Sequence, residues 1–268
     1  MKKIKIGKEN AIFQQILAIK SNRNKRAQLK MFFVEGVQNI KEAIANNWSI
    51  HAFIYSEKTN LSDWAKGIIS IAEYNYILDD TLMKKLSDKS DTSEILAIIK
   101  IKNQDDIVFT KNPVYVLLDR PSKKGNLGSI IRSCDALNVD QIFYSGHSVD
   151  IYDHEVITAS MGSFFKMPIT YIKSNEDFLN LIKILKSKLD LQIVATSLQA
   201  TNTVQECDFT KPTLLLVGNE ANGLCKFYND NVDKAVIIRM RNGIDSLNVA
   251  CATTVCLYEI QRQRTKTS

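Results

Sequence analysis

Three glycine-bearing stretches hold the side chains best placed to do chemistry. The first, Asp119-Arg120-Pro121-Ser122-Lys123-Lys124-Gly125-Asn126-Leu127-Gly128, leads into a helical pattern that contains Arg132. Its glycines let backbone approach a ligand, and amides at a helix start favour negative charge. The second, Gly218-Asn219-Glu220-Ala221-Asn222-Gly223-Leu224, sets two glycines around a carboxylate that neighbouring amides can hold. The third runs from Ile238 through Met240 and Gly243 to Ser246-Leu247-Asn248-Val249-Ala250, where Ser246 is suited both to cap a helix of roughly eighteen residues and to meet a ligand. Each stretch is also compatible with an ordinary turn. None completes GxGxxG or GxxxxGK[ST], which disfavours a dinucleotide site and a phosphate loop.

The elements around these stretches explain why they would converge. Val114 to Leu118 is a short, continuous apolar run rich in strand formers, and similar runs recur at 141–144, 169–172, 191–195, 213–217 and 235–238. Helical patterns fall between many of them, for example at 127–137 and 175–188. Strands alternating with helices imply an α/β domain with a mostly parallel sheet, whose ligands sit beyond the carboxyl ends of the strands. The loops beginning at Asp119, Thr196, Gly218 and Arg239 are therefore the ones to inspect. Upstream of a polar boundary at 102–106, helical patterns at 11–20 and 36–46 alternate with strand-like runs at 31–34, 52–55 and 95–101, a smaller α/β domain. The division expected is 1–103, a linker at 104–112, and 113–268.

Composition narrows the class. Of the 268 residues, 45% are hydrophobic and 24% charged, close to the globular average, and no apolar run is long enough for a bilayer. No secretion signal follows the basic N-terminus, so a cytoplasmic protein without membrane partner is expected. Cys134, Cys207, Cys225, Cys251 and Cys256 form no CxxC pair, and His51, His147 and His154 are scattered, so free thiols and no metal are expected. Residues 1–30 carry nine of the 35 basic residues but only Glu9 among the acidic ones. That imbalance reads as a cationic arm for phosphate neutralisation, with a solvated tail as the alternative.

In order and spacing, the three stretches resemble the sequence motifs of the SpoU (TrmH) family of RNA ribose methyltransferases: Asn126 to Arg132 the first, Gly218 to Leu224 the second, Ser246 to Ala250 the third. Phe33-Val34-Glu35-Gly36 is similar to the start of that family's ribosomal-protein-like substrate-binding domain. One departure stands out. Family members commonly approach the first motif through Asp-Pro-x-Asn, whereas here Asp119 to Gly125 form a more basic approach to Asn126. The resemblance implies a C-terminal SPOUT-type domain with a deep trefoil knot, homodimerisation through that domain, and S-adenosylmethionine held by loops matching Thr196, Gly218, Ile238, Met240 and Leu247. It also implies a catalytic neighbourhood of Asn126, Arg132, Glu220, Ser246 and Asn248, and structured RNA as partner, with 23S ribosomal RNA ahead of transfer RNA. Arg132 is the family's candidate base or activator. A guanidinium stays protonated, so the activating role, holding phosphate and stabilising alkoxide charge, is the physically preferable one. A non-catalytic RNA-binding protein of the same fold is the rival expectation, distinguished by cofactor binding.

Overall fold

The computed structural model describes residues 1–88, 92–102, 106–244 and 246–265. Most of the boundary segment Asn103, Gln104 and Asp105 therefore lies outside the described residues. The chain forms two compact units. Residues 1–103 together with 150–166 make the first, and 104–149 together with 167–268 the second. Segment 150–166 thus leaves the C-terminal region in which the sequence division had placed it.

The first unit is built on a five-stranded sheet of β1 (Lys2–Ile6), β2 (Met31–Glu35), β3 (Ile50–Ser56), β4 (Tyr74–Leu78) and β5 (Leu96–Lys100). The order is β1-β4-β3-β5-β2, parallel where β4 meets β1 and β3, antiparallel where β5 meets β3 and β2. Helices α1 (Ala11–Ser21), α2 (Arg23–Leu29), α3 (Val37–Ala45), α4 (Asp63–Ile68) and α5 (Asp80–Leu86) connect them. Asn10 starts α1 by accepting from the Phe13 amide, and Asn22 starts α2 by accepting from Asn24 and Lys25. Phe13, Ile16 and Ile19 then lie on the face of α1 that packs into the core with Phe33, Ile54 and Leu82.

Residues 1–30, expected as a cationic arm, are folded into β1, α1 and α2. Lys2 to Ile6 add a strand to the sheet edge, and two of the basic side chains serve the fold. Lys20 donates to the Leu86 carbonyl and to Asp88, both at 2.6 Å. Arg26, only 2% exposed, bonds Asp150 at 2.7 Å, Asp153 at 3.3 Å, and the carbonyls of Ile19 and Lys20. Buried charge persists only where it is paired and hydrogen-bonded in this way. Segment 150–166, including α7 (His154–Ser160), also brings Tyr152, Phe164 and Phe165 against Phe32 and Trp48, whose indole donates to the Phe165 carbonyl at 3.0 Å. Asp153, His154 and Glu155 lie close together, but Asp153 is already committed to Arg26 and to the Glu155 amide.

The second unit has a wholly parallel sheet of β6 (Val114–Asp119), β7 (Gln141–Ser145), β8 (Ile169–Ile172), β9 (Gln192–Thr196), β10 (Thr213–Val217) and β11 (Lys234–Val236), ordered β11-β9-β10-β6-β7-β8. β6 and β10 are buried at every residue, as strands covered on both faces must be. From β6 the chain moves outward to β7 and β8, then returns on the other side through β9. The switch of direction falls between β6 and β10, where ligand crevices form in such sheets. Helices α6 (Lys124–Ala136), α8 (Asn175–Lys188), α9 (Lys226–Asn229) and α10 (Val249–Thr265) complete the unit. α10 packs along α6, with the Ser133 and Thr254 hydroxyls 2.7 Å apart. No helix among the described residues is long and apolar enough to cross a membrane.

Candidate active site

The loops leaving β6, β9, β10 and β11 enclose a cavity of about 470 Å³, walled by Lys123, Asn126, Thr196, Gly218, Glu220, Ser246, Leu247 and Asn248 among others. A second, largely apolar cavity of about 130 Å³ shares Thr196, Leu198, Ser246, Leu247 and Ala252 with it and adds Ile237, Ile238 and Met240. Together they have the size and mixture of apolar wall and few polar groups expected of a cofactor cleft. Nine of the ten residues expected at the site border one cavity or both. The exception is Arg132, which is exposed on α6 and lines neither cavity of its own chain.

A row of hydrogen bonds organises the larger cavity. Glu220 Oε2 accepts from the Ser122 amide at 3.2 Å and its hydroxyl at 2.6 Å, and Oε1 accepts from the Lys123 amide at 3.3 Å and Asn126 Nδ2 at 3.2 Å. The carboxylate therefore meets amides at the start of α6 that lack partners within the helix. Burial alone would raise the Glu220 carboxyl, but these hydrogen bonds, led by the Ser122 hydroxyl, outweigh it and hold it below the usual carboxylate range. Asn126 in turn accepts at Oδ1 from Asn248 Nδ2 at 3.0 Å.

Asn248 also corrects the expected start of the last helix. Its Oδ1 accepts from the Ala250 amide at 2.9 Å, so Asn248 rather than Ser246 occupies the capping position, and α10 begins at Val249. Ser246 is left exposed at the cavity wall.

The second loop is pinned by Asn219, to which the motif reading assigned no role. Asn219 accepts at Oδ1 from Ala221 and Asn222 amides at 2.9 and 3.3 Å, and its backbone pairs with that of Gly223 in both directions. The Asn-to-Gly spacing is a local turn signal that could have flagged it. Gly218 has a harder constraint. A Cβ there would fall 2.3 Å from the Gly223 carbonyl carbon and the Leu224 nitrogen, so the loop closes only on glycine.

The chain also matches known proteins. Residues 113–258 match the model of the SpoU rRNA methylase family, and residues 10–97 that of the SpoU L30e-like domain. The chain is 34% identical to the 23S rRNA (uridine(2479)-2′-O)-methyltransferase of Streptomyces viridochromogenes, over 97% of this chain and 92% of that one. The crystal structure of a SpoU methyltransferase from the same organism, in complex with the cofactor AdoMet, superposes with a TM-score of 0.90 at 34% identity, covering 96% and 99% of the two chains. An AdoMet-bound rRNA methyltransferase from Sinorhizobium meliloti gives 0.86 at 26% identity, covering 97% and 98%.

Proposed function

The chain belongs to the SpoU rRNA methylase family, and on that footing we propose that it transfers a methyl group from S-adenosylmethionine to a ribose 2′-hydroxyl of 23S ribosomal RNA. The observation that carries this reading is the hydrogen-bonded row Glu220–Asn126–Asn248 along a cavity that continues into an apolar recess. The residues fit the cofactor: Leu198, Ile237, Ile238, Met240 and Leu247 suit an adenine ring, and Gly218 gives the close backbone approach that a bent ligand needs. Bound there, S-adenosylmethionine supplies a methyl group already activated on a sulfonium.

The protein's task is then mainly alignment. Asn126, Ser246 and Asn248 orient the acceptor ribose and the loops around it. Glu220, already engaged by four donors, fixes loop geometry and does not exchange protons. Arg132 holds a phosphate and stabilises the alkoxide charge that develops on the 2′-oxygen, while the proton leaves to phosphate or water. Because Arg132 lines neither cavity of its own chain, this role requires a second copy. The exposed row Cys251, Val255 and Tyr258 on α10, the last two 38% and 61% exposed, offers the apolar surface for a homodimer through the C-terminal unit. The knot of the SPOUT fold, a cytoplasmic location and an RNA-binding role for residues 1–103 belong to the same reading. The L30e-like match in the first unit and the named target of the Streptomyces relative favour ribosomal RNA.

Mapping 2′-O-methyl positions in RNA from a deletion strain tests the target. Loss of one 23S position is expected. Unchanged 23S RNA would overturn the assignment, and loss of a transfer-RNA position would move the substrate to that class.

A further inference from the structure

Hydrogen-bonded to the loop Gly218–Leu224 is an arginine that lines neither of the two cavities described above and that the reaction does not use. Arg120 follows the last residue of β6 in a left-handed conformation, φ 51°, unusual for a side chain with a Cβ. Its Nε and one terminal nitrogen donate to the two oxygens of Asp119, both at 2.8 Å, and that terminal nitrogen also reaches the Gly223 carbonyl at 3.2 Å. Asp119 is 2% exposed and accepts in addition from the Cys225 amide at 2.8 Å. The Arg120 carbonyl accepts from Asn219 Nδ2 at 2.7 Å, and its amide donates to the Ser145 carbonyl at 3.1 Å. Both ends of the second loop, Asn219 and Gly223 to Cys225, are therefore tied to one residue pair. From the far side Gly146, at the end of β7, leaves room for the arginine: a Cβ there would stand 2.5 Å from Arg120 Cγ.

We propose that Arg120 is a positioning residue for cofactor binding, holding the Gly218–Leu224 loop closed against the cavity through Asp119, Gly223 and Asn219. A bidentate arginine–carboxylate pair fixes orientation as well as distance, which a single ammonium cannot do. The left-handed backbone turns the side chain back over Asp119 while leaving the carbonyl for Asn219. The proposal rests on placing S-adenosylmethionine in this cavity.

Calorimetric titration of the full-length protein with S-adenosylmethionine, alongside thermal unfolding of the unliganded variants and steady-state kinetics, tests it. Arg120→Gln is expected to raise the dissociation constant about 10- to 100-fold, the loss expected for charge-assisted hydrogen bonds. KM for the cofactor should rise in step, while kcat at saturating cofactor falls by far less. Arg120→Lys should recover part of the affinity, and Gly146→Ala, which presses on Arg120 from outside the cavity, should lose it. An unchanged dissociation constant in Arg120→Gln with a lowered melting temperature would make the residue merely structural and overturn the proposal. A kcat loss at unchanged affinity would overturn it as well. If Arg120→Gln fails to fold, Arg120→Lys and Gly146→Ala decide by the same affinities. Leu247→Glu separates the underlying reading: normal cofactor binding by that cavity-wall variant would mean that the ligand lies elsewhere.

Discussion

Asn248 donates to Asn126 at 3.0 Å, joining the first turn of the last helix to a helix 122 residues earlier in the chain. Asn126 passes the link on to Glu220 at 3.2 Å, so three loops share one polar row. Removing either asparagine should disturb the same unit. Asn126→Ala and Asn248→Ala, alone and combined, should show a coupling of about 0.5–3 kcal/mol in kcat/KM for methyl transfer. Strictly additive losses would mean that the two amides act independently.

Gly218→Ala places a methyl group against the backbone of Gly223 and Leu224. Neither neighbour is a flexible side-chain end, so the loop itself must open. Overpacking of this kind costs about 1–3 kcal/mol, and the affinity for S-adenosylmethionine should fall by about tenfold or more. Titration calorimetry reads this directly, and wild-type affinity would show that the loop yields without harm.

Cofactor binding should carry an acid limb set by Glu220. Its folded-state pKa is lowered, so the bonds from Ser122, Lys123 and Asn126 are intact above the usual carboxylate range and are lost as pH falls through that lowered value. Affinity measured against pH should be flat from neutrality to about pH 5 and decline in more acidic solution. Glu220→Gln should bind weakly throughout and lose that limb. A wild-type decline centred near neutrality would point to a different group.

Arg132→Ala should retain S-adenosylmethionine affinity while methyl transfer falls about 100-fold or more, as on loss of an oxyanion-stabilising donor. A mixture of Arg132→Ala with Gly218→Val chains should regain part of the activity if Arg132 serves a partner's cavity. Transfer at the wild-type rate by Arg132→Ala would remove it from the chemistry.

Arg26→Ala should destabilise the first unit by about 3–5 kcal/mol, because it removes the buried guanidinium that pairs with Asp150 and Asp153. The shift in denaturant midpoint measures this. A change under about 1 kcal/mol would show that water enters and compensates.

The second unit was legible because its strands are covered on both faces and so read as unbroken apolar runs, as β6 and β10 show. The first unit hid two strands. In β1, Lys3 and Lys5 alternate with Ile4 and Ile6, an edge-strand pattern overshadowed by its charge. In β4, buried Asn75 interrupts the apolar run because its side chain donates to the Ile69 carbonyl. Local motifs pointed to the loops around the cavity, but not to what ties them together. The Asn126–Asn248 bond and the Asp119–Arg120 hold on Gly223 span more than a hundred residues of sequence, and no local period encodes such a pairing. Arg132 was visible as a residue type, whereas its exposure, away from the walls of both cavities, depends on which face of α6 meets α10.

The return of residues 150–166 to the first unit limits how this protein can be divided. A gene fragment ending at the polar boundary would encode Phe32 and Trp48 without Tyr152, Phe164 and Phe165, and Arg26 without its two aspartates. The complementary fragment would carry those aromatics as an uncovered loop between β7 and β8. Separate expression of the two halves should therefore yield sticky, poorly folded products, and recombination between relatives must exchange both segments at once to keep the aromatic cluster matched.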